Sequence, residues 1–252
     1  MTSNPQNSAG AAMDGLPALL SERVDGILYL SINRPRAANA INHAVAQGLA
    51  AGLAQAGEDD GVRAVILTGT GEKIFCAGRD LKNPQNLSPE ALNQLRRAES
   101  IAYTEALMGF DKPLVLALNG AAIGAGLMLA LHADQVIAVE HATLSLPEIN
   151  IGIPTFLGHA LIAEWTGNAI ANDLMLTGRR MPASEALDRG LVHAVVRADA
   201  LMTEARARAD ALGAKPRETF RAAKGWILQR RRLAVRAAYA THAALEAGPH
   251  PA

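Results

Sequence analysis

Residues 114–132 read LVLALNGAAIGAGLMLALH. Leu114–Leu118 is a continuous apolar run of strand length, and Asn119–Gly120 closes it. Gly124 and Gly126 then punctuate small residues, and a short apolar helical pattern runs over Gly126–His132. A strand, a glycine-rich turn and a helix in succession make the basic unit of an α/β protein. Glycine lets a backbone come close to a ligand. The first free N–H groups of the helix, with its dipole behind them, suit a phosphate or a developing oxyanion. The same glycines also suit plain tight packing of helix on strand, and both readings stand at this point. A dinucleotide fingerprint does not fit, because Leu129 stands where its third glycine would fall, and no Gly-Lys-Ser/Thr follows.

Working outward, further β-branched and apolar runs predict strands at Ile27–Ile32, Ala64–Thr68, Gln135–Val139 and Leu191–Val195. Helical patterns lie between them: Asn42–Ala56 with an Asn cap, Ser88–Met108 opened by Ser88-Pro89-Glu90, Ala183–Arg189 and Ala200–Leu212. Alternating strands and helices predict parallel strands covered by helices. From Pro216 onward the pattern is helical only, which predicts a C-terminal extension packed on the body or on another subunit. The organisation expected is a flexible tail over 1–18, an α/β core over 19–196 and a helical region over 197–252 for packing and oligomerisation.

Bulk composition narrows the function classes. Half of the 252 residues are hydrophobic and only 4% aromatic, so Ala, Leu, Ile and Val fill the core. Twenty-four basic residues balance 24 acidic ones, which argues against a nucleic-acid coat. Arg217, Arg221, Lys224, Arg230, Arg231, Arg232 and Arg236 cluster all the same. They read as a solvated helix face, or as a site for anionic phosphates or an acidic subunit partner. Cys76 is the only cysteine, which fits a reducing compartment. Met1–Gly15 lacks the basic start and apolar core of a signal peptide, and glycines break the most apolar stretch, so no membrane span is expected. A cytoplasmic protein follows as the expectation, with no metal, since no His/Cys/Asp spacing resembles a metal site.

Two more segments follow predicted strands: Phe75-Cys76-Ala77-Gly78-Arg79-Asp80-Leu81-Lys82 and Ser145-Leu146-Pro147-Glu148. Loops beyond the carboxyl ends of parallel strands are where such folds place their sites. N–H groups of the Gly78 turn and of the Gly124–Gly126 turn, if they converge, make an oxyanion hole. Phe75–Leu81 resembles the Phe-x-Ala-Gly-x-Asp-Leu signature of the crotonase (enoyl-CoA hydratase/isomerase) superfamily. Asn33-Arg34-Pro35 with Asn39-Ala40, Lys112-Pro113 with Asn119-Gly120, Pro147-Glu148, and Thr177-Gly178 with Ala183, Glu185-Ala186 and Gly190-Leu191-Val192 match its further motifs in order. The likeness covers roughly residues 20–225.

The resemblance implies an α/β, crotonase-like spiral of β-β-α units with a C-terminal helical extension, assembled as a homotrimer or hexamer. It implies an acyl-CoA substrate, with coenzyme A entering as part of the substrate and no separate cofactor. It implies a thioester oxygen held by the backbone N–H of Arg79 and that of Ala125, with Gly124 as runner-up. Arg36, Ala37, Ala38, Ala77, Asp80, Leu81, Lys82 and Met128 would line the substrate and CoA groove. Family members usually carry one more C-terminal helix, so the ending here looks short for covering the adenine and completing trimer contacts.

The family's hydratases use two glutamates. Here Glu148 matches the second, while Met128 stands at the first. A thioether transfers no protons. Water addition divides well between two carboxylates, whereas moving a double bond needs one base that takes a proton at C2 and returns it at C4. The expectation is therefore a Δ3,Δ2-enoyl-CoA isomerase-type shuttle on Glu148. The alternatives are a hydratase working with a single glutamate and a non-catalytic acyl-CoA binder. Asp80 is expected to cap its turn, His132 to fill the core, His159 to stand near the site at most, and Cys76 to lack a nucleophile's partner.

Overall fold

The structure, a computed structural model, describes residues 16–82 and 86–247. The tail expected over 1–18 therefore falls almost wholly outside the described residues, as does the chain after Ala247.

Among the described residues ten strands form two sheets. The larger holds β1 (Leu19–Val24), β2 (Ile27–Ile32), β3 (Ala64–Gly69), β5 (Leu114–Leu118), β7 (Gln135–Val139) and β10 (Ala194–Val196), in that order. The smaller holds β4 (Ile74–Cys76), β6 (Ala121–Ile123), β8 (Thr143–Ser145) and β9 (Arg180–Pro182). From β2 to β10 every pairing in the larger sheet is parallel, as is β4 on β6 and β6 on β8. β3 and β5 are buried along their whole length, which is why they read as unbroken apolar runs.

The helices in chain order are α1 (His43–Glu58), α2 (Pro89–Gly109), α3 (Ala125–Ala130), α4 (Phe156–Thr166), α5 (Asn168–Thr177), α6 (Ala183–Asp188), α7 (Leu201–Gly213) and α8 (Arg217–Ala247). The Asn42 side chain caps α1 at Val45 N (3.1 Å), and Ser88 caps α2 at Ala91 N (3.2 Å). The repeating unit is a strand in the large sheet, a strand in the small sheet, then a helix: β3-β4-α2, then β5-β6-α3. The β-β-α spiral expected from the resemblance is thus the observed architecture.

Three expectations change. The turn after Leu118 does not run straight into a helix, because β6 lies between them. That strand pairs with β4 and β8 across so few residues that nothing local marks it. The last strand of the large sheet begins at Ala194, and the buried Leu191 and Val192 only lead into it. α4 and α5 also form where no helix was predicted.

α7 lies over β3, β5 and β7, while α8 runs along α4 on its own subunit. Lys224 of α8 is 3% exposed; it donates to Asp134 Oδ2 (2.7 Å) and to the Lys112 carbonyl (2.8 Å). Arg231 lies over the Trp165 ring at 5.5 Å, Arg232 donates to the Met108 carbonyl (2.8 Å), and Arg217 pairs with Asp60 (2.5 Å). The basic run therefore pins α8 to the body. Arg231 and Arg232 are spent on that contact and do not form a free phosphate patch.

Candidate functional site

The three segments singled out in the sequence meet at one place. Glycines bring them there. A Cβ on Gly126 would run into the Cys76 carbonyl and Cβ, so only glycine lets α3 start against the end of β4. Gly78 takes φ +91°, and a Cβ there would stand 2.9 Å from Ile123 O and 3.4 Å from Ala125 N. The Gly78 turn and the head of α3 are thus pressed together.

In the Gly78 turn and at the first residue of α3, the N–H groups of Arg79 and Ala125 have no hydrogen-bond partner among the described residues. The reason differs at each. Ala125 is the first residue of α3, where no preceding carbonyl is in register. Arg79 makes a parallel bridge with Ile41, in which Gly78 O accepts from Ile41 N (2.8 Å) and Asp80 N donates to Ile41 O (2.9 Å). That alternation turns the N–H of Arg79 to the opposite side. Gly124, the runner-up donor, is excluded: its N–H is spent on the Ser145 carbonyl (2.9 Å), which ties β6 to β8.

Gly124 contributes space instead. Its φ is +55°, and a Cβ there would lie 2.5 Å from Glu148 Oε1. Glu148 sits in the first turn of a short 3-10 helix, Pro147–Ile151, directly after β8. Its Oε2 is buried and has no hydrogen-bond partner. Burial pushes its carboxyl above the ordinary range, against the opposing pull of its own backbone N–H and of the Arg79 cation. No other acidic side chain figures among the groups that set its ionisation. Met128, on α3, is half-buried against the core.

The groove segments lie side by side. Pro35–Ala37 forms a 3-10 turn, and the Ala38 carbonyl accepts from Ala77 N (3.0 Å). Ala38 and Asn39 both hold positive φ, a conformation costing L residues roughly 1–2 kcal/mol each. Asn39 compensates by bonding Arg34 N (2.9 Å), Thr70 O (2.9 Å) and Ile74 O (3.0 Å). Asp80 caps its turn at Lys82 N (3.1 Å), as expected, and also pairs with Arg34 (2.8 Å). Arg36, Leu81 and Lys82 are exposed along this edge.

Sequence reasoning missed several groups. Arg96 of α2 donates to the carbonyls of Asp80 (2.9 Å) and Lys82 (3.2 Å), fastening the segment that carries Arg79. Tyr103, also on α2, is buried, and its phenol is pushed up to about 12 by burial. Both lie on a helix whose periodicity was plain but whose facing partner was not. The minor candidates settle simply. Cys76 is buried with its thiol raised to about 12, so it stays an un-ionised thiol. His132 is buried in the core and held neutral, its pKa lowered to about 3 by burial and by Arg231 and Lys224. The His159 ring is engaged with Asn172 Oδ1 of α5 (2.8 Å). Among the described residues no cluster of His, Cys, Asp or Glu could hold a metal, and no helix is long and apolar enough to cross a membrane.

Two free N–H donors beside one half-buried carboxylate with an unpartnered oxygen form a site that can hold an oxyanion and move a proton next to it. Comparison with known proteins identifies the family. The enoyl-CoA hydratase/isomerase family model matches residues 22–246, and the chain belongs to this family. A carnitinyl-CoA dehydratase of Proteus mirabilis is 38% identical over 185 residues, 73% of this chain and 70% of that one. The crystal structure of an enoyl-CoA hydratase from Bacillus anthracis superposes with TM-score 0.78 at 31% identity, covering 86% of this chain and 89% of that one. A carnitinyl-CoA dehydratase from Mycobacterium avium 104 gives 0.73 at 36% identity, covering 83% and 81%.

Proposed function

We propose that the protein is an acyl-CoA enzyme of the Δ3,Δ2-enoyl-CoA isomerase type, with Glu148 as its proton shuttle. The observation that carries this is the solitary state of Glu148. It is half-buried against Gly124 with a free oxygen, and the α3 position that would bring a second carboxylate holds Met128. The thioester oxygen of a 3-enoyl-CoA accepts from the N–H groups of Arg79 and Ala125. The Glu148 carboxylate takes a proton from C2, giving a dienolate whose oxyanion stays between those donors. The same carboxyl returns the proton at C4, leaving a 2-enoyl-CoA with atoms and charge balanced. A raised carboxyl pKa suits the task, because the group must both accept and give up a proton.

A second reading is a hydratase that works with one glutamate. It is favoured by the names of the relatives, a hydratase and two dehydratases. A non-catalytic acyl-CoA binder is disfavoured by the retained, unpartnered Glu148. Supplying a 3-enoyl-CoA and a trans-2-enoyl-CoA in parallel separates the three. Double-bond migration supports the isomerase; water addition without migration replaces it with the hydratase; binding without turnover leaves the binder. The base must be ionised in the free enzyme, so kcat/KM should fall as pH drops through a value above the ordinary carboxylate range of about 4.3. Assembly as a homotrimer or hexamer belongs to the same proposal. Exposed Trp226, Ile227 and Leu233 on α8, with Ile149 and Ile151 beside the site, offer apolar surface for it, and light scattering checks it.

A further inference from the structure

Cys76 joins the two halves of the oxyanion site, and no step of the chemistry uses it. It is the last residue of β4 and is wholly buried. Ile74 stands opposite Ala121 and Cys76 opposite Ala122, so β4 carries one extra residue between them. A bulge of this kind bends the strand and re-aims a side chain. The Cys76 sulfur accepts from Gly78 N at 3.4 Å. On the other side, a Cβ on Gly126 would fall 2.8 Å from Cys76 Cβ and would run into the Cys76 carbonyl oxygen. Arg79 follows Gly78, and Ala125 precedes Gly126. One residue thus touches the chain neighbour of each free donor.

The backbone around Gly78 shows what the sulfur holds. Ala77 N donates to the Ala38 carbonyl (3.0 Å), and Asp80 N donates to the Ile41 carbonyl (2.9 Å). Gly78 O accepts from Ile41 N (2.8 Å). Across a planar trans peptide the Arg79 N–H points the opposite way, away from Ile41. The peptide before it is held by the sulfur. Gly78 is buried, and its N–H has no other partner among the described residues. A buried N–H that loses its acceptor must find another or shift the turn that carries it. Any such shift turns the next peptide, whose N–H is the Arg79 donor.

We infer that Cys76 is a positioning residue of the oxyanion hole, its sulfur fixing the Gly78 peptide and its Cβ seating the head of α3. This rests on the acyl-CoA reading above and adds to it a side chain that touches no substrate. An acceptor at the sulfur's place keeps the Arg79 N–H aimed at the thioester oxygen, and an apolar group does not. The requirement is for a hydrogen-bond acceptor rather than for bulk, and the two are separable by substitution.

The test does not depend on which reaction is catalysed. Cys76→Ser keeps an acceptor, Cys76→Val keeps apolar bulk without one, and Cys76→Ala keeps neither. Acetoacetyl-CoA reads the hole directly, because its enolate absorbs in the near ultraviolet and an oxyanion hole lowers the pH at which it forms. Butyryl-CoA, measured by calorimetry, reads ordinary binding. Cys76→Ser should match the parent full chain with both ligands. Cys76→Ala and Cys76→Val should raise the midpoint of enolate formation by about one pH unit, a tenfold loss of enolate stabilisation, with butyryl-CoA affinity held near the parent's. If valine prevents folding, alanine against serine carries the same contrast. A Cys76→Val protein that matches the parent, or a Cys76→Ser protein that fails together with Cys76→Ala, would overturn the inference and leave Cys76 a packing residue. Equal losses for both ligands in every variant would overturn it as well. A parent that binds butyryl-CoA but leaves the enolate midpoint at its free value would overturn the oxyanion hole and the inference together. A parent that binds neither ligand would take the acyl-CoA reading with them.

Discussion

Asp134 and Glu148 are both carboxylates at the edge of the core, and the fold treats them oppositely. Asp134 Oδ2 accepts from Leu114 N (2.8 Å) and Lys224 Nζ (2.7 Å), while Lys224 also donates to the Lys112 carbonyl. Lys112 in turn donates to the carbonyls of Ala56 and Asp59, both at 2.7 Å. Every charge in that cluster is answered, and its effect is to hold α8 to the sheet. Glu148 has a buried oxygen with no partner, and among the described residues no other carboxylate oxygen shares that state. A satisfied buried ion fixes structure, whereas an unsatisfied one holds a proton affinity out of its ordinary range and ready for use.

That contrast can be broken from either side. Glu148→Gln should lower turnover by about 10²–10⁴-fold, the usual weight of a general base, while circular dichroism and acyl-CoA affinity stay near those of the parent. Full activity in this variant would remove Glu148 from the chemistry. Lys224→Met should do the reverse. It strands Asp134 and costs about 3 kcal/mol of stability, read calorimetrically as a melting point lower by roughly 6–12 °C. An unshifted melting point would show that the cluster does not hold α8. Gly124→Ala lies between the two, because its Cβ collides with Glu148 Oε1 and its φ is positive. A displaced carboxylate should cost about a hundredfold in kcat, with only about 1–2 kcal/mol lost in stability. Arg96→Ala sharpens the comparison least. Freeing the carbonyls of Asp80 and Lys82 should reduce kcat a few-fold, about 1 kcal/mol, and Arg96→Lys should recover part of it.

The same contrast explains what could be read in the sequence. β3, β5 and all but the first residue of β7 were legible because burial on both faces makes a strand an unbroken apolar word, while β2, only half of it buried, was legible from its apolar and aromatic residues on either side of Ser31. β4, β6, β8 and β9 were not, since three residues carry no period and their pairing depends on Gly120 passing under Lys73 and Ile74. α4 was hidden by Gly158, which packs on Leu146, and by Pro154 and Thr155 just before it. Glu148 was legible as a motif, and so was Met128 in the place of a second glutamate; that Glu148 Oε2 is buried with no hydrogen-bond partner was not, because that is a property of surroundings. The role of Gly124 was misread for a related reason: whether an N–H is free depends on Ser145, 21 positions away in the chain. Lys224 and Asp134, 90 positions apart, were likewise beyond any local pattern.

The glycines also divide the molecule for anyone wishing to make it more heat-resistant. Replacing a flexible glycine usually gains about 0.4–1 kcal/mol, because the unfolded chain loses freedom. Gly57 and Gly109 face open space at ordinary φ, beside a cavity of about 300 Å³ lined by Leu53, Ala106 and Phe110, and alanine fits at both. Gly78, Gly124 and Gly126 offer the same entropy on paper, but the room they leave is already filled by a carbonyl, a carboxylate and a strand end. Thermostability and turnover therefore draw on different glycines, and a library that spares these three can raise the one without touching the other.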